Sequence, residues 1–145
     1  MRIAVLNGPN LNLLGTREPE IYGHVSLDAL EARIRAAAAP LGVDLSWFQG
    51  NGEGELVEAV QRLAGRADGA LINAAAYTHT SLALRDAVLA VRVPFVEVHL
   101  SNILAREIER RKSVLADLAI GIVAGFGPQG YELALAGLVA HLRER

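Results

Sequence analysis

The strongest constraint on this chain is an alternation. Short apolar runs are each followed by a stretch whose apolar residues recur at helical spacing. Arg2–Leu6 reads as a buried strand. Ser26 reads as a helix N-cap, with Asp28 and Glu31 placing negative charge near the positive end of the helix dipole. Leu27, Leu30, Ile34, Ala37 and Leu41 then follow as one stripe. Val43–Phe48 predicts a second strand, and Leu56, Val57, Val60 and Leu63 a second helix. Ala70–Asn73 predicts a third strand, followed by a helix on Leu82, Leu84, Ala87, Val88 and Val91. Pro94–His99 predicts a fourth strand, Asn102–Lys112 a polar helix, and Leu118–Ala124 a fifth strand. A closing helix carries Leu133, Leu135, Leu138, Val139 and Leu142. Strands separated by helices are joined by crossovers and pair in parallel. The expected fold is therefore α/β, a flavodoxin-like three-layer sandwich with a five-stranded parallel sheet and helices on both faces. One domain is expected over residues 1–145. Ligands in such sheets bind beyond the carboxyl ends of the strands, so the residues just after each strand matter most.

Composition narrows the chemistry. The 145 residues are 52% hydrophobic and 21% charged, with a mean hydropathy of +0.28, enough to build a core and too apolar for disorder. A net charge of -2 gives no basic field for nucleic acid or an anionic membrane, and no partner of either kind is expected. No run approaches the ~18 apolar residues of a membrane span. Met1–Leu6 is too short for a signal peptide, so a cytoplasmic location is expected. Without cysteine there is no thiol nucleophile, disulfide or iron–sulfur cluster. Of fourteen basic residues only Lys112 is a lysine, and it sits in Arg110-Arg111-Lys112 as an expected solvated charge. Carbonyl chemistry through a Schiff base needs a lysine amine, so an imine-free route is expected.

Several residues depart from what the fold alone requires. Asn7–Gly23 is a long connection without a period, carrying Arg17 and Tyr22 between glycine and proline hinges. Such a length is compatible with an active-site lid, set here at about residues 15–24, or with an ordinary surface loop. In the fourth strand, Glu97 and His99 stand two apart, hence on one face, at the carboxyl end. A central parallel strand is normally apolar throughout. A carboxylate that orients an imidazole suits a general acid, and burying two titratable groups is costly without a use for them. His79 follows the third strand in a loop of small residues, where an ordinary loop histidine is the plainer reading. Ser101 is read as the start of a helix whose free N–H groups attract a carboxylate or phosphate. Arg106 and Arg110 follow four apart. Gly50-Asn51-Gly52-Glu53-Gly54 lacks G-x-G-x-x-G spacing, and Glu53 and Glu55 would repel a pyrophosphate, so a dinucleotide loop is set aside.

Taken together, Leu6–Gly23, Gln49–Leu56, Asn73–Asp86, Glu97–Glu107 and Gly125–Tyr131 resemble the type II 3-dehydroquinate dehydratases over nearly the whole chain. The resemblance implies trans-elimination of water from 3-dehydroquinate to 3-dehydroshikimate through an enolate, in the shikimate pathway, with no metal and no cofactor. By position, Tyr22 resembles the base that takes the C2 proton. A free phenol is protonated to about pH 10, and Arg17 matches the cation that stabilises the tyrosinate. Asn10 matches the residue holding a water at the enolate oxygen. His99 matches the acid that protonates the departing C1 hydroxyl, and Glu97 its orienting partner. Asn73, His79 and Arg110 match residues binding substrate hydroxyls. Ser101, Asn102 and Ile103 match the carboxylate site. Asp86 matches an acidic residue that reaches a neighbouring subunit's site, in a dodecamer built from trimers.

The chain departs from the family's usual pattern in four places. Ala74-Ala75-Ala76 replaces a usual Pro-Gly-Ala or Pro-Gly-Gly, Leu104 and Gln61 replace histidines, and Glu109 replaces a phenylalanine. Two other functions fit parts of the pattern. Glu97, His99 and His79 have the composition of a two-histidine, one-carboxylate metal site. A non-catalytic flavodoxin-like module would hold flavin or a small organic anion. The first leaves Ser101 and Arg110 without a role, and the second has no need of an Arg17–Tyr22 pair opposite Glu97 and His99.

Overall fold

The computed structural model of the chain describes residues 1–16, 20 and 24–145. Five strands form one sheet: β1 (Arg2–Asn7), β2 (Asp44–Gln49), β3 (Gly69–Asn73), β4 (Phe95–His99) and β5 (Gly121–Ala124). Their order is β2-β1-β3-β4-β5 and every pairing is parallel. Among the described residues four α-helices connect and close the sheet: α1 (Leu27–Ala38), α2 (Glu53–Gln61), α3 (Leu82–Val91) and α4 (Gln129–Arg143). The doubly wound α/β architecture expected from the alternation is the one observed.

Strand alternation decides the layers. Ile3 and Val5 of β1 face one way with Leu71, Val96 and Val98, against Leu30 and Ile34 of α1 and Leu135, Leu138 and Val139 of α4. Ala4 and Leu6 face the other way with Ala70, Ile72 and Phe95, against Leu56 and Val60 of α2 and Leu84 and Val88 of α3. β1, β3 and β4 are buried on both faces, so their sequences run almost continuously apolar. Local signals set the helix starts. Ser26 Oγ accepts from Ala29 N at 3.1 Å, and Ser81 Oγ from Leu84 N at 2.9 Å. Among the described residues no helix is long and apolar enough to cross a membrane.

Two expectations need correction. The predicted fifth strand begins three residues late, because Ala116–Leu118 forms a 3-10 turn first. The predicted polar helix on Asn102–Lys112 does not form. Its place is taken by two 3-10 turns, Ile103–Ala105 and Ile108–Arg110, with Arg106 extended between them at φ -87°, ψ -177°. Side chains compete for the backbone there: Asn102 Oδ1 accepts from Leu104 N at 3.1 Å, and Arg111 Nε donates to Arg106 O at 2.8 Å. The Arg106 carbonyl is thereby diverted from the bond a helix would give it. Ser101 accordingly does not open a helix, and the anion-attracting dipole expected there shrinks to the N–H groups of one turn.

Candidate active site

The carboxyl ends of β1, β2 and β3 finish side by side on carboxamides: Asn7 is in register with Gln49 on one flank and Asn73 on the other. Each is used. Asn7 Nδ2 donates to Phe48 O at 3.1 Å, and Gln49 Nε2 to Asn51 Oδ1 at 3.1 Å. Asn73 Nδ2 donates to Tyr131 Oη at 2.9 Å. The chain leaves β1 through Gly8, whose N–H donates to Asn73 O at 2.8 Å. A Cβ at Gly8 would lie 2.5 Å from the Ala74 carbonyl oxygen, so only glycine lets these two loops meet. Asn10 follows in the left-handed region, φ 68°, its N–H donated to Asn51 Oδ1 at 2.9 Å. The glycine-rich segment after β2 thus works as a clamp: Asn51 holds Asn10, and its carbonyl accepts from Tyr77 Oη at 2.7 Å.

A cleft of about 710 Å³ opens above this edge of the sheet, open solvent at its mouth included. Its lining includes Asn10, Asn73, His79, His99, Ser101, Ile103 and Arg110. Seven of the expected site residues therefore converge on one volume from three connections and the ends of two strands. Arg106, Ala75 and Ala76 join them. Arg106 Nη1 lies 3.5 Å from Ser101 Oγ. Arg110 pairs with Glu107, whose carboxyl is held below the usual range by a backbone hydrogen bond first and by Arg110 second. Arg106 and Arg110 thus both bring positive charge to the cleft lining, with Arg106 the one beside Ser101.

Glu97 lies behind His99. Its carboxylate is fully buried, and His99 is 4% exposed. Glu97 Oε1 accepts from Ser113 Oγ at 2.5 Å, and Ser113 Oγ accepts in turn from the N–H groups of Leu115 and Ala116 at 3.1 and 3.0 Å. Glu97 Oε2 stands 3.1 Å from His99 Nε2, at ion-pair distance. The two atoms are not aligned as a hydrogen bond, and neither has another partner. A carboxylate this deep is costly unless a cation pairs with it, and the imidazole supplies one when it carries its second proton. His99 thus stands between the buried Glu97 carboxylate and the cleft.

His79 is held separately, its Nδ1 2.7 Å from Lys112 O. Because a carbonyl only accepts, Nδ1 bears the proton. Among the described residues no group of three His, Asp or Glu side chains is placed to hold a metal ion. Asn102 caps its turn and Asp86 is exposed on α3, and neither lines the cleft. Arg17 and Tyr22 lie outside the described residues, as does most of the expected lid. Three contributors were not singled out from sequence: Ser113, Tyr131 and Asn51. Arg106 was marked only by its spacing from Arg110.

A family model described as dehydroquinase class II matches residues 1–139. A protein of Synechococcus sp. (strain WH7803) named 3-dehydroquinate dehydratase is 59% identical over 143 residues, covering 99% of this chain and 97% of that one. The crystal structure of the type II dehydroquinase from Propionibacterium acnes is similar with a TM-score of 0.91, at 42% identity and 96% coverage of both chains. The type II dehydroquinase from Butyrivibrio crossotus is similar with a TM-score of 0.93, at 38% identity, over 95% of this chain and 97% of that one.

Proposed function

We propose, because this chain belongs to the dehydroquinase class II family, that it strips water from 3-dehydroquinate by a proton relay between a lid tyrosine and the buried Glu97–His99 pair. The chain is an enzyme of the hydro-lyase class, a 3-dehydroquinate dehydratase like its relatives, and its fold is theirs. The steps and residue roles that follow are our reading.

The substrate carboxylate is held at Ser101 and Ile103, with Arg106 nearby. Asn73, His79 and Arg110 hold its hydroxyls. Tyr22, made acidic by Arg17, is the base: its oxygen takes the C2 proton and the electron pair moves into the ketone, forming an enolate. Asn10 orders a water against that oxygen. The enolate then collapses, the C1–O bond breaks, and His99 delivers a proton to the departing hydroxyl, which leaves as water. Glu97 keeps the imidazole oriented throughout. Charge balances at each step: the proton lost from C2 is stored on Tyr22 while His99 gives one up.

One observation carries the reading. A wholly buried carboxylate sits 3.1 Å from an imidazole whose ring lines a cleft rimmed by two guanidiniums. A passive anion binder gains nothing from that buried charge, whereas an acid catalyst needs it. The test is direct. Purified protein mixed with 3-dehydroquinate should generate the ultraviolet absorbance of a conjugated enone. His99→Ala and Tyr22→Phe should each slow turnover by about 100-fold or more, with ligand affinity retained in Tyr22→Phe. Full activity in either variant removes that residue from its role.

The family resemblance also implies a trimer-based dodecamer. The exposed Leu82, Leu104, Ile108 and Phe126, together with Asp86 on the outer face of α3, support subunit packing near the site. Sedimentation at several concentrations tests it. A monomer that is fully active would overturn both the assembly and the role of Asp86 in a neighbour's site.

A further inference from the structure

Tyr131 is fully buried on α4, yet its hydroxyl ends at the carboxyl edge of the sheet between Asn7 and Asn73. Its ring packs in the core, 6.2 Å from the Trp47 ring centre at a tilt of 32°. That packing would be served equally by phenylalanine, so the hydroxyl needs its own reason. We propose that Tyr131 is a positioning residue for the reaction: its hydroxyl fixes the amide of Asn73 so that the cleft always receives an N–H donor from that side chain. This rests on the reading that Asn73 contacts substrate.

The direction of every bond in the chain is forced. Phe48 O only accepts, so Asn7 Nδ2 donates to it, at 3.1 Å. Asn7 Oδ1 is then the acceptor, and Tyr131 gives its one hydroxyl proton there, at 2.7 Å. Tyr131 Oη has only lone pairs left, so Asn73 must turn Nδ2 toward it, at 2.9 Å. At the far end the Ala75 N–H only donates, and it takes Asn73 Oδ1, at 3.1 Å. Both ends are backbone groups and cannot reverse. Flipping the Asn73 amide would set two donors against each other at Ala75 and two acceptors against each other at Tyr131, in a buried setting where each unmet group is expensive. Burial pushes the Tyr131 phenol well above its ordinary range, with Asn73's donated bond opposing, so the hydroxyl keeps the proton on which the order depends.

One hydrogen of Asn73 Nδ2 remains, and Asn73 lines the cleft. The substrate group that meets Asn73 Nδ2 must therefore be an acceptor: a carboxylate, carbonyl or hydroxyl lone pair. Without the phenol oxygen, the amide loses one of its two anchors and the donor is no longer held in place.

Kinetics of Tyr131→Phe, Asn73→Ala and the double variant on 3-dehydroquinate test this, alongside the Asn73 side-chain amide resonances in the protein and in Tyr131→Phe. Tyr131→Phe should raise KM about tenfold, the weight of one hydrogen bond, with kcat within about twofold. In the Asn73→Ala background the same change should cost nothing further, since the group it positions is gone. The wild-type amide pair should exchange slowly with solvent, and the variant's rapidly. An equal loss in both backgrounds, or an unchanged KM, overturns the proposal. Unchanged amide exchange overturns it even if the protein proves inactive on this substrate, an outcome that would count against the proposed function instead.

Discussion

Ala75 gives a prediction in which one substitution has unequal effects at two neighbours. Its φ is +51°, in the left-handed region, and its N–H is tied to Asn73 Oδ1. A side chain there costs ~1–2 kcal/mol relative to the right-handed region. Ala75→Gly removes that cost. It also loosens the unfolded chain, by ~0.5–1 kcal/mol, and deletes a half-buried methyl worth ~0.4 kcal/mol. The net runs from a loss of ~0.4 kcal/mol to a gain of ~1 kcal/mol. Ala76 has no positive φ and is exposed, so Ala76→Gly gives only the loss, ~0.5–1 kcal/mol. For a chain of this size the two variants should differ in Tm by ~2–6 °C, with Ala75→Gly the higher. Thermal unfolding by circular dichroism at matched concentration, with denaturant midpoints as a second reading, decides it. If Ala75→Gly falls as far as Ala76→Gly, no strain is stored at Ala75 and the reasoning fails.

Three further outcomes follow from the same contacts. Ser113→Ala removes the hydroxyl on Glu97 and the acceptor for two backbone N–H groups. It should lower stability by ~2–4 kcal/mol in chemical unfolding, with Ser113→Thr restoring most of it. Asp117 is held below its ordinary range, chiefly by the hydrogen bond from Arg85, so its pairing stabilises the fold at neutral pH and that contribution disappears as acid protonates it. Asp117→Asn should melt lower than the parent at pH 7, the gap closing as pH falls from about 4 through the carboxyl's lowered folded-state range. Tyr131 shifts the other way: its folded state prefers the neutral phenol, so this stability is intact below about pH 10 and is lost as pH rises beyond it. Of the three tyrosines, one should ionise only when the protein unfolds in alkali, and Tyr131→Phe should abolish that coupled step.

The sheet was readable because burial on both faces writes an apolar run whatever the partners are, and crossovers leave few topologies. Glu97 and His99 were readable for a related reason: two polar residues at a spacing of two break such a run at its carboxyl end. The segment after β4 was not readable, since Arg111 binds the Arg106 carbonyl through its side chain and no periodicity records that competition. Arg106 still reaches the cleft, but by an extended residue rather than a helical face. Tyr131 looks like any aromatic in a core stripe. Its hydroxyl acts on Asn7, 124 positions away, and separations of that kind leave no local trace. Ser113 is equally plain in sequence and gains its meaning only from Glu97 beneath it.

The row formed by Gln49, Asn7 and Asn73 has a consequence for how the enzyme answers acidity. Carboxamides neither gain nor lose protons across the range in which proteins survive. The platform at this edge of the sheet therefore keeps its polarity unaltered from mildly acid to mildly alkaline media. Any bell in the activity profile has to come from the other groups around the cleft, His79, Glu97 and His99 among them.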